Sequence, residues 1–167
     1  METFRTQENN LMCGGVYFEH QGDILRQYFP NPKAVLPVQK KDGSIILLPW
    51  GRRQSQTGNL PMGGWARLDS IYGGRWDKYF PKPLKIPILS FMEKDFEGQS
   101  HWYDLGKGQY LQGLLARDNN EHRIYVVTIE PEVEDAQIHH RWPRVVQAGE
   151  NSIKYNCLNG QGTSICL

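Results

Sequence analysis

A cysteine followed by two glycines lies near the start of the chain, within residues 11–15 (LMCGG). Gly14 and Gly15 have no side chains, so a ligand could approach the thiol of Cys13 closely. If Met12 is the first residue and is then removed, Cys13 also carries an α-amine with a pKa near ~8. Such an amine can attack an aldehyde to form an imine, and the adjacent thiol can then close a five-membered ring. The alternative is that Cys13 is a buried structural thiol.

A glutamate follows the apolar residues 86–91 (IPILSF), which we expect to form a buried strand. Glu93 would then emerge at the rim of the core. Partial removal from water at such a position raises the pKa of a carboxyl group toward the range used in acid–base catalysis. The alternative is a surface glutamate that pairs with Lys94 or Lys85.

Two neighbouring histidines, His139 and His140, add groups that titrate near neutral pH. Adjacent residues on a strand point to opposite faces, so at most one of them could serve a given site. Paired histidines are too common to indicate a particular function by themselves.

Arginines and tryptophans recur together, as in residues 50–53 (WGRR) and 65–67 (WAR). Guanidinium groups bind phosphates and indole rings stack on bases, so these residues are candidates for DNA contact. The candidates are Trp50, Arg52, Arg53, Trp65, Arg67, Arg141, Trp142 and Arg144. The formal net charge of the 167-residue chain is only +1, so nucleic-acid binding would need such a local patch. The alternative is an ordinary solvated surface with Trp50 and Trp65 half-buried.

The three cysteines, Cys13, Cys157 and Cys166, are odd in number and lack the paired spacing of a zinc site. We therefore expect no disulfide framework, metal or cofactor, and a cytoplasmic protein that is a monomer. No apolar run approaches the ~18 to 20 residues of a membrane span, and residues 1–11 lack the apolar core of a signal peptide.

Short apolar runs separated by turn residues favour one α+β, mainly β domain. The expected strands lie at residues 16–18, 45–48, 86–91, 110–115 and 123–129, with a turn at 41–44. The last two strands would form a hairpin with a longer loop at 118–121. Residues 23–29 are predicted to form a helix that ends before Pro30, and residues 159–164 a surface turn.

Taken in order, several segments resemble motifs of the SOS response-associated peptidase (SRAP) family. Residues 12–15 match three of four positions in its opening M-C-G-R. Residues 65–70 (WARLDS) are similar to its N-A-R-x-E-T motif, and residues 86–94 (IPILSFMEK) to I-P-A-x-G-F-Y-E-W. Residues 138–143 (IHHRWP) are similar to I-H-D-R-M-P.

Weaker likenesses complete the series. Trp50-Gly51 echoes W-G-L-I-P, residues 112–115 (QGLL) look like A-G-L-W, and T-x-x-A is loosely echoed around Thr128. The resemblance covers residues 12 to about 146. The family's C-terminal P-V-S and V-N segments have no clear counterpart in residues 147–167.

The resemblance implies a twisted, barrel-like antiparallel sheet core with a few short helices over residues 13–167, after a leader or mis-assigned start at 1–12. It also implies a sensor that crosslinks to abasic sites in single-stranded DNA through a thiazolidine. By this resemblance Cys13 is the nucleophile and Glu93 the acid or base, while His139 assists ring opening of the sugar and Arg67 holds a flanking phosphate. Autoproteolysis or methionine removal would expose Cys13, and the protein would associate with the nucleoid when DNA is damaged.

The chain departs from the family at three motif positions. Trp65 replaces an asparagine that contacts DNA at the lesion, Lys94 replaces a tryptophan, and Trp142 replaces a methionine. These departures motivate a second hypothesis, a diverged single-stranded DNA-binding module without crosslinking chemistry. A third is a thiol peptidase that acts on other proteins.

Overall fold

The computed structural model describes residues 14–131 and 141–149, and most of these residues lie in short β-strands. The elements in chain order are β1 (Gly15–His20), β2 (Asp23–Tyr28), β3 (Val35–Gln39), β4 (Ile45–Pro49), β5 (Trp65–Arg67), α1 (Leu68–Tyr72), a 3₁₀ helix (Asp77–Tyr79), β6 (Lys82–Ile86), β7 (Ser90–Lys94), β8 (Ser100–Asp104), β9 (Gln109–Asp118), β10 (Glu121–Ile129), β11 (Trp142–Pro143) and β12 (Val145–Gln147). The predicted α+β, mainly β class is confirmed.

The strands form two sheets. The smaller sheet is antiparallel, with the order β2-β1-β7-β8. The larger sheet has the order β11-β10-β9-β6-β3-β4, with β12 beside β9 and β5 parallel to β10. In the described residues these sheets do not close into a barrel.

The main core lies between the two sheets. Val16, Phe18 and Phe91 contribute to it from the smaller sheet, and Leu111 and Ile124 from the larger one. Successive side chains of a strand point to opposite faces, so the larger sheet also supplies a second core on its other face. This second core contains Leu60, Ile71, Trp76, Leu114 and Tyr125. The larger sheet is thus covered on both faces, whereas the smaller sheet exposes Ile24, Tyr28 and Trp102.

Two of the predicted elements are wrong. Residues 23–29 form strand β2 rather than a helix, and their exposure alternates along the strand. The preceding residues Gln21 and Gly22 both have positive φ (53° and 85°), which is the signature of a type I′ hairpin turn. This turn places β2 beside β1.

Residues 86–91 do not form one strand. Ile86 ends β6 in the larger sheet and Ser90 begins β7 in the smaller sheet, so the chain crosses between the sheets through residues 87–89. Pro87 lacks an N–H and cannot donate to a ladder there, which is consistent with the break.

Other predicted elements are confirmed. Residues 16–18 lie in β1 and residues 45–48 in β4. Strands β9 and β10 form the predicted hairpin, but their loop is the two-residue turn Asn119-Asn120 rather than a longer one. The turn at 41–44 is present, with Gly43 at φ 83°. The surface turn predicted at 159–164 lies outside the described residues.

Over residues 14–131 and 141–149, no helix is long and apolar enough to cross a membrane. The same ranges contain no group of three or more histidine, cysteine, aspartate or glutamate side chains that could hold a metal ion.

Candidate functional site

The residue that follows Cys13 is held firmly in the sheet. Cys13, His139 and His140 lie outside the described residues, and Gly14 is the first residue of the described range. The carbonyl oxygen of Gly14 accepts a hydrogen bond of 2.9 Å from the N–H of Phe29, which continues the pairing of β1 with β2. Gly14 is buried. The chain is therefore anchored within one peptide bond of the predicted nucleophile.

Gly14 packs directly against two tryptophan rings. A Cβ atom built at this position would come within 2.6 Å of Cζ2 of Trp65 and 3.3 Å of Cη2 of Trp50. Any side chain here would displace an indole, so close packing explains the need for glycine. The rings of Phe29, Trp50 and Trp65 contact one another edge to face, with centroids 4.7 to 5.7 Å apart.

Glu93 lies on the strand that neighbours Gly14. The pairing of β1 with β7 ends with Gly15 opposite Met92, and these two residues adjoin Gly14 and Glu93 in the chain. Alternation places Glu93 on the same face of β7 as Phe91, toward the space between the sheets. Only 3% of Glu93 is exposed, which excludes the surface glutamate considered above.

Burial changes the chemistry of Glu93. Its removal from water disfavours the ionised carboxylate and raises the pKa of Glu93 to about 8. The carboxyl group is therefore mostly protonated at neutral pH. A protonated carboxyl group of this kind can donate a proton to a reacting atom, and above its pKa it can accept one.

A histidine that the sequence analysis did not single out lies directly across from Glu93. Strand β8 pairs with β7 so that His101 is opposite Glu93. Its Nε2 atom is 2.7 Å from Oδ2 of Asp95, and Oδ1 of Asp95 accepts hydrogen bonds from the N–H groups of Glu97 and Gln99. The hydrogen bond from His101 is the main cause of the lowered pKa of Asp95. Sequence reasoning missed His101 because no local signal fixes the register of β8.

Arg67 extends the site along β5. It is on the same face of the strand as Trp65, two residues away, and it lies opposite Thr128 of β10. The exposed guanidinium of Arg67 binds Asp69, with Nη2 2.6 Å from Oδ2 and Nε 3.1 Å from Oδ1. This hydrogen bond is the main cause that lowers the pKa of Asp69 to about 2.

Arg141 lies on the other side of Thr128. Its Nη2 atom donates a 3.0 Å hydrogen bond to the carbonyl oxygen of Thr128, and Pro143 pairs with Thr128 across β10 and β11. Burial, and then the nearby charge of Arg67, lowers the pKa of Arg141. The carboxylates of Asp69 and Glu130 act in the opposite direction on Arg141 and also raise the pKa of Arg67, so acidic groups already lie near both guanidinium groups.

Trp142 lies between the sheets rather than on an open surface. Its half-buried ring contacts Phe91 at a centroid distance of 5.3 Å and Tyr103 at 4.8 Å. Phe91 is on the same strand face as Glu93. The aromatic cluster formed by Phe91, Tyr103 and Trp142 therefore lies on the inner side of the smaller sheet, the side on which Glu93 also lies.

The structure gives four other candidates internal roles. Trp50 is 1% exposed, and its Nε1 donates a 3.0 Å hydrogen bond to the carbonyl oxygen of Gly64. This burial leaves Trp50 no surface on which a base could stack. We therefore exclude Trp50 from the DNA-contacting set.

Arg52 and Arg53 use their guanidinium groups inside the protein. Arg52 donates to the carbonyl oxygens of Leu60 (2.6 Å) and Gln56 (2.9 Å). Arg53 donates to those of Phe29 and Trp50. These bonds satisfy carbonyl groups of an irregular segment, so both arginines fix the loop between β4 and β5. Arg144 likewise donates to Oε1 of the buried Gln112, at 3.2 Å.

Comparison with models of known protein families finds no match, and no curated protein matches the chain significantly. The residues of the candidate site are therefore identified from their positions in the structure alone. We call the group of Gly14, Trp65, Arg67, Glu93 and His101 the Gly14 site.

Proposed function

We propose that this protein is an SRAP-like sensor of abasic sites in single-stranded DNA, and that it forms a covalent thiazolidine through an N-terminal Cys13. One observation carries the proposal. Gly14, the residue bonded to Cys13, is hydrogen-bonded to Phe29, and the next residue, Gly15, pairs with Met92. Met92 adjoins Glu93, a buried carboxyl group whose pKa burial raises to about 8. A reactive amine and thiol attached to Gly14 would begin next to a proton donor.

The chemistry balances with the groups that the proposal names. The neutral α-amine of Cys13 adds to the aldehyde of the ring-opened deoxyribose and gives a carbinolamine. Glu93, protonated at neutral pH, donates a proton to the hydroxyl group, which leaves as water, and the Glu93 carboxylate then takes back the N–H proton of the iminium to leave a neutral imine. The thiol then adds across the resulting C=N bond, and its proton passes to the nitrogen. The sum is aldehyde plus aminothiol giving thiazolidine plus one water.

DNA contacts are assigned to the exposed side of the same site. Arg67 and Arg141 lie on either side of Thr128 and suit a phosphate that flanks the lesion. Half-buried Trp65 lies beside Gly14 and could stack on a neighbouring base. His139, which lies outside the described residues, keeps the role in sugar opening that the family resemblance implies.

Crosslinking in this proposal requires a free Cys13 amine. In a chain that still carries Met12, the nitrogen of Cys13 is an amide and cannot form an imine. Removal of an initiating Met12 would release it, and so would cleavage of the Met12–Cys13 bond through attack of the thiol on the preceding carbonyl. Mass analysis of protein made from the full reading frame distinguishes these two routes, because only cleavage of a chain that begins at Met1 releases the peptide of residues 1–12. A crosslinked species that still carries Met1 would contradict both.

The test is incubation of purified protein with an oligonucleotide that contains one abasic site, followed by denaturing electrophoresis. We expect a shifted band whose mass equals protein plus oligonucleotide minus one water. Cys13→Ser should abolish it, because a hydroxyl group forms a far less stable ring, and Cys157→Ser is the matched control. An adduct of full yield with Cys13→Ser would overturn the proposal.

A diverged DNA-binding module is the second candidate, and the packing at Gly14 favours it. The ring of Trp65 packs closely against Gly14, at a position where the family has a smaller asparagine. Salt-dependent binding to single-stranded DNA, with no adduct that survives denaturation, would support this function over the first.

A further inference from the structure

The outer face of the smaller sheet carries aromatic side chains on adjacent strands. One row across the sheet consists of Tyr28, Gly15, Met92 and Trp102, which the strand registers set side by side. The next row contains Tyr17 on β1. We call Tyr17, Tyr28, Met92 and Trp102 the aromatic face.

The rings of the aromatic face form one connected surface. Tyr17 and Trp102 stack with centroids 4.2 Å apart and planes inclined by 30°, and Tyr28 meets Trp102 edge to face at 6.4 Å. Tyr28 lies over Gly15, where a Cβ would come within 2.9 Å of its Cδ1. Tyr28 and Trp102 are each 37% exposed. Gly15 thus lets the tyrosine ring lie flat on the sheet while part of it faces solvent.

Cations flank these rings on both sides. Arg26 lies opposite Tyr17, with its guanidinium carbon 4.4 Å from the ring centroid. Lys94 follows Met92 by two residues on β7 and therefore shares its face, on the side of the aromatic row away from Arg26. The acidic groups of this face, Glu19 and Asp104, lie beyond the row on the side of Arg26.

We propose that the aromatic face binds intact single-stranded DNA, with bases stacked on Trp102 and Tyr28 and phosphates near Arg26 and Lys94. Exposed rings bordered by cations match the combination that binds single strands without sequence preference. The chain passes from Tyr28 on this outer face to Phe29, whose ring contacts Trp65 at 4.7 Å.

This inference goes beyond the proposed function, because it needs neither an abasic site nor the chemistry of Cys13 and Glu93. It assigns a second protein contact to the DNA strand, and this contact lies on the opposite face of β7 from Glu93.

The experiment measures binding of a fluorescent oligothymidylate without abasic sites to the full chain by anisotropy. Trp102→Ala should weaken binding about tenfold, because stacking of one base contributes that much. Trp102→Phe should retain most of the affinity, since it keeps a ring. Phe80→Ala is the matched control, since Phe80 is 64% exposed but is not part of the aromatic face.

Arg26→Ala should reduce the salt dependence of binding by about one released counterion. Thermal unfolding of each variant separates loss of stacking from loss of fold. Unchanged affinity in Trp102→Ala would overturn the proposal. The proposal would also be overturned if a substitution in the aromatic face converts a dimer to a monomer in sedimentation and leaves DNA binding unchanged. The aromatic face would then be an interface between two copies of the chain.

The experiments distinguish failure of the crosslinking proposal from failure of the aromatic-face proposal. Cys13→Ser should bind the intact oligothymidylate as the unmodified protein does, whether or not crosslinking occurs. If the protein crosslinks to abasic DNA but Trp102→Ala does not change binding of intact DNA, the proposed function is retained. The proposal that the aromatic face binds DNA is then wrong.

Discussion

At the residue scale, Glu93 is the group on which the proposed chemistry depends most. A carboxyl group that is removed from water resists ionisation, and here the pKa of Glu93 rises from 4.5 to about 8. The sequence predicted the direction of this shift from the position of Glu93 after an apolar run. It could not predict the depth of burial, because that depends on strands β1 and β8 on either side of β7.

The raised pKa of Glu93 makes stability depend on pH. Glu93 ionises more readily in the unfolded chain, so its contribution is fully present below about pH 4.5 and is lost as pH rises through about 8. The free energy of unfolding of the unmodified protein should fall by up to about 5 kcal/mol over this range, at 1.36 kcal/mol per pKa unit.

Urea unfolding measured from about pH 5 to about pH 9 checks this dependence. Glu93→Gln removes the titrating group and should flatten the dependence of the free energy of unfolding on pH. The stability of the variant relative to the unmodified protein should therefore increase as pH rises. Parallel curves for the two proteins would show that Glu93 does not titrate with a raised pKa.

The same group should shape the crosslinking rate. Deprotonation of the Cys13 amine favours attack as pH rises, whereas deprotonation of Glu93 above about 8 removes the proton donor. We expect a rate maximum near that pH in single-turnover crosslinking to an abasic oligonucleotide. Glu93→Gln should react more slowly and lose the decline at high pH. A decline that persists in the variant would assign it to another group.

Gly14 provides a test of packing at the same site. Gly14→Ala places a Cβ 2.6 Å from Trp65 and should destabilise the fold by about 1–3 kcal/mol, since such overpacking forces neighbours to move. The cost should shrink when Trp65→Phe is introduced as well, because the smaller ring leaves room. Denaturant unfolding of the four proteins in this cycle measures the coupling. Additive effects would show that Trp65 is not the obstacle.

At the element scale, the arginines divide into those that hold loops and those that face solvent. Arg53 is hydrogen-bonded to the carbonyl oxygens of Phe29 and Trp50, and burial lowers its pKa to about 10. Arg67 is exposed and pairs only with Asp69 among the hydrogen bonds described for its side chain. Sequence reasoning treated both as phosphate ligands, because residue type does not reveal which carbonyl groups lie nearby.

This division predicts opposite responses to two substitutions. Arg53→Ala should lower the free energy of unfolding by about 2–3 kcal/mol, because it leaves buried carbonyl groups unsatisfied, and should leave the salt dependence of DNA binding unchanged. Arg67→Ala should leave stability unchanged and reduce the salt slope of binding by about one. Paired urea unfolding and anisotropy titrations at several salt concentrations measure both. The reverse pattern would contradict the assignment of these roles.

Local patterns were enough for some elements and insufficient for others. The apolar runs in β4, β9 and β10, separated by polar turns, were read correctly because each strand pairs with its sequence neighbour. The predicted helix at residues 23–29 is wrong because Pro30 can follow a strand as well as a helix. The alternating exposure of these residues is typical of a strand. Register between distant strands, such as the one that sets His101 opposite Glu93, depends on tertiary packing and has no local signal.

At the scale of the whole molecule, the smaller sheet has two different faces. Its inner face contributes to the core and carries Glu93, while its outer face exposes rings and flanking cations. The total charge of +1 does not reveal where these cations lie. The two proposals together place a single DNA strand at two sites on the protein. The predicted monomeric state stays a prediction.

The most direct measurement of the central claim is the intact mass of the protein after incubation with an abasic oligonucleotide under denaturing conditions. We predict a species that begins at Cys13 and exceeds the free protein by the mass of the oligonucleotide less one water. Non-covalent binding with an unmodified Cys13 terminus, under conditions where the abasic aldehyde is intact, would contradict the claim.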